Sequence, residues 1–170
     1  MRAPVTTLDQ RYSDPDAVAT AWDETRQVLE SAEVFWISTV RANGRPHVTP
    51  CAAVWLDETI YFDTGATQQK AINLRANPHV ILTTGCNHWD RGLDVVVEGD
   101  AVRVTDDNVL GRLAQVWASK WDGRFRFQAR DGCFYHDQEE GSAVLVFCVA
   151  PTTVLAFTRG PLGGHTTHRF

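Results

Sequence analysis

The sequence is short of patterned cysteine. Its four cysteines, Cys51, Cys86, Cys133 and Cys148, form no Cys-x-x-Cys pair, and their spacings match no zinc motif, so no metal site is expected. Scattered thiols of this kind read as small apolar groups in a reducing compartment, and a cytoplasmic location is expected. Long apolar runs are also missing. None approaches the ~20 residues of a membrane span, so no membrane partner is expected. Residues 1–10 lack a basic stretch followed by an apolar one, which predicts no secretory leader. Positive charge is in deficit, with 16 Lys+Arg against 21 Asp+Glu and a net charge of −5. That disfavours a nucleic-acid partner and requires any anionic ligand to be held by a local cluster of donors. No Ser-His-Asp order and no committed acid–base pair is legible, so no catalytic residue is nominated.

What is present fits a single domain. The chain has 170 residues, 44% of them hydrophobic and 22% charged, enough to bury a core without disulfides. Ser13-Asp14-Pro15 has the form of a helix start, and Val18, Trp22, Thr25, Val28, Leu29 and Ala32 follow at helical spacing, predicting a helix to about Glu33. Residues 1–33 are therefore expected as a helical segment ahead of a β domain over 34–170. Val34–Arg41 and Arg45–Leu56 read as a hairpin through Ala42-Asn43-Gly44, and Asp57-Glu58 turns into a third strand over Thr59–Asp63. A helix is predicted over Thr67–Ala76, stopped by Asn77-Pro78. Val80–Thr84 is a short strand, 85–92 a loop, and Leu93–Thr105 a long strand with a bulge expected at Gly99. Asp106-Asp107 opens a helix with Val109, Leu110, Leu113, Val116, Trp117 and Trp121 on one face. Residues 122–141 read as irregular, with an acidic run over 137–140. Ala143–Val149 and Thr153–Thr158 read as two strands broken at Pro151, ahead of a Gly-rich tail. Short turns between mostly antiparallel strands point to a closed or nearly closed barrel.

Two segments carry candidate chemistry. In the second strand, Pro46, Val48, Pro50, Ala52, Val54 and Leu56 alternate with Arg45, His47, Thr49, Cys51, Ala53 and Trp55. The first set reads as a core face. The second is polar with small residues, and suits either a flat heteroaromatic ring or plain solvent. The other segment is Tyr61-Phe62-Asp63-Thr64-Gly65-Ala66-Thr67-Gln68-Gln69-Lys70. There a strand passes through a Gly turn into a helix with Lys in its first turn. Free N–H groups, a Lys charge and the Thr64 and Thr67 hydroxyls suit a phosphate, although a capped surface helix accounts for the same residues. His165 and His168 fall three apart in the tail, where no metal site is expected. Phe125, Phe127, Phe134 and Tyr135 would roof a pocket or pack a dimer edge.

Gly44-Arg45-Pro46-His47-Val48-Thr49-Pro50, Tyr61-Phe62-Asp63-Thr64 and the run from Gln69-Lys70 through Asn77-Pro78-His79-Val80 occur in an order that resembles the pyridoxamine 5′-phosphate oxidase-like, FMN-binding split-barrel superfamily. Val97-Glu98-Gly99 and the ending Thr166-Thr167-His168-Arg169-Phe170 extend the likeness, which runs from about Val34 to the C-terminus. The resemblance implies a mainly β, Greek-key-type split β-barrel of about six to seven antiparallel strands with a few flanking helices. It also implies a homodimer with cofactor at the subunit interface. Gln69 and Lys70 would hold the cofactor phosphate with Thr64 nearby, and His47, Val48, Thr49 and Pro50 would line the ring, largely through backbone groups. The second subunit would contribute from the loop of Asn87, His88 and Trp89, and from Arg169. Asp94 stands where the oxidases often carry glutamine.

The sequence lacks the Glu-x-Trp and Arg-x-His-x-Arg segments of true oxidases, so oxidation of vitamin B6 phosphates is not expected. The resemblance implies an FMN-dependent oxidoreductase acting on a small organic molecule. The alternative cofactor is deazaflavin coenzyme F420, whose polyglutamate tail Arg75, Arg91 and Arg103 would serve. The alternative function is a non-catalytic barrel that holds or senses flavin, deazaflavin or haem, with His47, His79 or His88 as haem ligands.

Overall fold

The structure, a computed structural model, describes residues 3–137 and 143–170. Its elements run β1 (Val5–Leu8), α1 (Trp22–Ser31), β2 (Val34–Val40), β3 (Pro46–Leu56), β4 (Thr59–Gly65), α2 (Gln69–Leu74), β5 (His79–Thr84) and β6 (Gly92–Val104). Then follow α3 (Asp107–Lys120), β7 (Phe127–Arg130), β8 (Cys133–His136), β9 (Val144–Arg159) and β10 (Gly164–Arg169). Strands β9, β4, β3, β2, β5 and β6 pair in that order, and β6 pairs back onto β9, closing a six-stranded antiparallel barrel. The fold is a mainly β split barrel with three helices among the described residues.

Turn chemistry sets the registers. Gly44 at φ +81° ends the β2–β3 hairpin, and Asp57 and Glu58, both at positive φ, form the two-residue β3–β4 turn, the backbone that strand twist favours. The bulge at Glu98/Gly99 lies where β6 meets Pro151 of β9. There an ideal Cβ on Gly99 would stand 2.6 Å from the Ala150 carbonyl oxygen, so the crossing strands approach too closely for a side chain.

The barrel interior is filled by Phe35, Ile37, Ala53, Phe62, Leu82, Val95, Val97, Val149 and Val154 among others, with Leu29 of α1 packed against it. A second core lies outside the barrel wall, where Leu110, Leu113 and Trp117 of α3 and Trp121 just after it meet Val54, Phe127, Phe134, Val144 and Val146. Phe127 and Phe134, left between pocket and dimer edge by the sequence, belong to this core.

Several predicted elements differ. The first helix begins at Trp22, not near Pro15, because Ser13 is engaged elsewhere. Its hydroxyl donates to the Asp9 carbonyl and accepts the His165 N–H. The strand through Pro151 is continuous, since the bulge opposite absorbs the missing N–H. The Gly-rich tail is β10, paired with β9 on one side and β1 on the other. The irregular segment after α3 contains the β7–β8 hairpin, turned by Asp131 and Gly132 at positive φ. Of the acidic run at 137–140, positions 138–140 lie outside the described residues.

Candidate functional site

Strand β3 shapes the site. It pairs with β2 from Pro46 to Ala52 but with β4 only from Ala53 to Leu56. Below Ala53 the two neighbours part, and this opening is the split of the barrel. The Arg41 N–H donates to the Arg45 carbonyl at 2.9 Å. Antiparallel alternation then turns the backbone of residues 47, 49 and 51 toward β2 and that of 46, 48, 50 and 52 toward the opening. Pro46 and Pro50 thus sit where no ladder N–H is needed, as edge prolines do. Between them, Val48 presents a backbone N–H and C=O to the gap. Pro50 can offer only its carbonyl, and Thr49 turns its N–H to β2.

The expected faces of β3 are exchanged. His47, Thr49, Cys51, Ala53 and Trp55 point inward, and Cys51, Ala53 and Trp55 are barrel core. Pro46, Val48 and Pro50 are exposed. The alternation was right. The side was wrong because the Pro-Val face abuts no element of the same chain, whereas Ala52, Val54 and Leu56, farther along it, are covered by the α3 core.

At the mouth of the split, β4 runs through Asp63, Thr64 and Gly65 into α2. Lys70 is buried, and its Nζ donates to Gln68 Oε1 at 2.7 Å, while Thr64 Oγ1 donates to the same oxygen at 2.9 Å. Gln69 Nε2 donates to Asn73 Oδ1 at 2.8 Å, and Asn73 Nδ2 donates to Thr39 Oγ1 at 2.9 Å, which neighbours His47 Nδ1 at 3.4 Å. Hydrogen bonds thus join Thr64 and Lys70 through Gln68, and Gln69 to His47 through Asn73 and Thr39. Gln68, Asn73 and Thr39 belong to these networks and were missed. The Gln-x-Lys and Gln-x-x-x-Asn spacings across the helix start could have flagged the first two.

Electrostatics at the opening favour an anion. Lys70 Nζ uses one of its three donors on Gln68. Burial pushes the Asp63 carboxyl above its usual range, partly offset by Lys70, which lessens its repulsion of an anion. Burial drives the Cys51 thiol up to about 12, against a smaller opposing pull from Lys70. Burial first, then Arg41 and Lys70, hold His47 below its usual value, so its imidazole stays neutral. Thr49 Oγ1 is buried with no hydrogen-bond partner. An orphaned buried hydroxyl and a free strand edge on β3, with an ammonium that keeps spare donors at the β4–α2 junction, are donor types that fit a phosphate with an attached polar ring.

The remaining candidates lie elsewhere in the protomer. Trp89 is 86% exposed, with the Arg159 guanidinium 5.6 Å from its ring. Arg169 pairs with Thr153, six residues earlier on β9 than Arg159, roughly 20 Å along the strand. Among the described residues, no hydrogen bond or ion pair joins either of them to Lys70. Nor do the three arginines gather into a groove. Arg103 is spent on the Val104, Val146 and Gly132 carbonyls and on Cys133 Sγ, Arg75 donates to the Ala66 carbonyl, and Arg91 stays in its loop beside Asp90. Of the haem candidates, His79 is paired with Asp100 at 2.6 Å and His88 lies against Arg91. His165 and His168 fall on opposite faces of β10.

The outward face of β2, β3 and β5 is apolar and bare: Val34, Trp36, Val40, Val48 and Ile81 are all exposed. A groove of about 600 Å³ runs along it from Thr39 and Pro46 to His79, Glu98 and Thr152. A second, of about 460 Å³, is lined by Trp36, Asn87, Asp94, Phe157 and Arg159. No helix of the described residues is long and apolar enough to cross a membrane.

Comparison with known proteins agrees with this architecture. The family model described as pyridoxamine 5′-phosphate oxidase matches residues 21–157. A conserved hypothetical protein, Rv2991, from Mycobacterium tuberculosis superposes with a TM-score of 0.67 at 22% identity, covering 85% of this chain and 88% of that one. An FAD-binding protein from Mesorhizobium loti gives 0.59 at 18% identity, over 87% and 95%. An F420 reductase gives 0.55 at 23% identity, over 76% and 94%. No curated protein matches in sequence. With four-fifths of its length under the family model, the chain belongs to the pyridoxamine 5′-phosphate oxidase-like superfamily.

Proposed function

We propose that the protein is a cytoplasmic homodimeric oxidoreductase that uses FMN, or alternatively deazaflavin coenzyme F420, to act on a small organic molecule other than a vitamin B6 phosphate. The observations that carry this reading are the donors of β3 and of the β4–α2 junction: buried Lys70, orphaned Thr49 Oγ1 and the unpaired backbone of Val48. Lys70, with Gln69 and Thr64 beside it, would hold the phosphate, and His47, Val48, Thr49 and Pro50 would border the ring. When bound, the flavin supplies hydride chemistry at its N5. The chain's part is to fix the ring and exclude water. The bare apolar face of β2, β3 and β5 adjoins the opening and is the surface a second copy would cover. The partner's Trp89 loop and Arg169 would then complete the site from across the interface.

Two measurements test this. The absorption spectrum of the purified protein separates the two bands of flavin, the single blue-shifted band of deazaflavin and the Soret peak of haem. A Soret peak would turn the reading to a haem-holding module, and bound flavin without turnover on an acceptor panel would turn it to a carrier. Lys70→Ala is expected to weaken cofactor binding by about 1.5–3 kcal/mol, roughly 10- to 150-fold, with the fold intact. Unchanged affinity rejects the phosphate assignment.

A further inference from the structure

One hairpin is basic in an acidic chain. Between Val34 and Leu56 there is no Asp or Glu, and the charged side chains are Arg41 and Arg45. The β2–β3 turn sets these two opposite each other. The Arg41 N–H donates to the Arg45 carbonyl at 2.9 Å, and the Gly44 N–H donates to the Arg41 carbonyl at 2.8 Å. The register beyond them, Val40 against Pro46 and Thr39 against His47, continues the same pairing. Residues directly opposite in an antiparallel pair share a face, with Cβ atoms about 5 Å apart. By alternation that face is the inward one of Ile37, Thr39, His47 and Thr49, not the bare outward one of Trp36, Val40 and Val48.

Like charges placed directly opposite destabilise a strand pair. Nothing among the described residues relieves this one: neither guanidinium has a hydrogen bond or an ion pair there. Arg103, Arg112 and Arg159, by contrast, are all engaged by carbonyls or carboxylates. Burial first, and then the charges of Arg41 and Lys70, hold the neighbouring His47 below its usual value. A neutral imidazole adds a donor to the face without adding repulsion. Each guanidinium can grip an oxyanion through two parallel N–H bonds, and an anion seated between the two removes their repulsion. We propose that the Arg41–Arg45 pair is an anion site of its own, which takes a carboxylate or phosphate beyond the phosphate assigned to Lys70, so that the ligand is polyanionic. The site rests on the hairpin; only the molecule that brings the anion rests on the flavin reading.

Inorganic pyrophosphate and triglutamate, titrated onto the full chain at low ionic strength, test the site and separate phosphate from carboxylate; acetate is the control. NMR of the arginine Nε–Hε and His47 ring signals follows them. One of the two probes is expected to bind at least about tenfold more tightly than acetate, and Arg41→Gln with Arg45→Gln to weaken it about 10- to 100-fold. Saturation should raise the midpoint of His47 titration in the parent, because the bound anion offsets Arg41, and not in the double variant. The double variant should melt no lower than the parent, since it loses a repulsion and no contact. Acetate binding as tightly as the probes, a probe that leaves His47 unmoved, affinity unchanged in the double variant, or a lowered melting temperature each overturns the proposal. FMN separates the two readings. A chain that binds FMN but neither probe loses the arginine site alone, and one that binds a probe but not FMN keeps that site and loses the flavin reading.

Discussion

His168 should make the fold sensitive to mild acid. Its ring is fully buried beneath Trp22, with centroids 5.2 Å apart, and sits between two hydroxyls: Thr6 Oγ1 at 2.9 Å from Nδ1 and Thr25 Oγ1 at 3.0 Å from Nε2. Thr25 donates its own proton to the Ala21 carbonyl. It therefore accepts from Nε2–H, and Thr6 donates to Nδ1, which assigns a neutral tautomer. Burial holds His168 below its usual 6.5, and neither hydrogen-bond partner is a carboxylate that would compensate a charge. The unfolded chain takes up the proton as pH falls through about 6.5, and the folded chain only at lower pH. Stability is thus flat above 6.5 and falls from there down to the folded pKa. His168→Phe removes the titration and two hydrogen bonds, costing about 1–3 kcal/mol at pH 8. Exposed Thr6 regains water, and Thr25 keeps Ala21. Urea unfolding followed by tryptophan fluorescence from pH 8 to 5 provides the assay. The variant should start lower and lose less on acidification. His47 is depressed as well, so removing both histidines should flatten the curve further. A variant whose curve runs parallel to the parent's would refute the reasoning.

Other outcomes follow from the packing. Gly99→Ala should lower stability by about 1–3 kcal/mol, roughly 3–10 °C in melting temperature, because its Cβ would meet Ala150 and Val149 Cγ1 at 2.6 and 2.8 Å; calorimetry reads the shift. Ellman's reagent at pH 8 should label Cys86, which is exposed, before Cys51, whose buried thiol titrates only near 12. Cys51 should react only once urea unfolds the chain. Trp36→Glu with Val48→Asp places two carboxylates on the bare face of β2 and β3. If the proposed dimer forms through this face, sedimentation should show a dimeric parent and a folded monomeric variant, and a variant that stays dimeric would move the interface elsewhere.

Much of the barrel was legible because its turns announce themselves. Asn43-Gly44 and Asp57-Glu58 bracket β3, Asn77-Pro78 ends α2, and Asp106 caps α3 with its carboxylate accepting from the Asn108 and Val109 N–H groups. The Asp131-Gly132 pair was an equally good hairpin signal, obscured by its aromatic neighbours. Other differences were decided at long range. Ser13 looks like a helix cap until His165 claims it, and Pro151 looks like a strand breaker until the distant bulge at Gly99 is seen. Thr64, Gln69 and Lys70, nominated from sequence order, lie at the β4–α2 junction. Which face of β3 looks inward was hidden, because alternation fixes two faces but not which of them a neighbour covers. The unpaired edge at Val48 exists only once β4 is seen to diverge.

Strand β9 ties the molecule together. It holds β4 and β6 through its first half, then β6 and β10 through its second, and β10 in turn carries β1. A segment of 16 residues stitched on both flanks offers no seam at which the molecule can come apart in pieces. Amide exchange should therefore find its central N–H groups opening only with global unfolding, and nearly together with those of β6. A ligand seated anywhere against that strand would slow exchange through the whole barrel, not just near its own contacts.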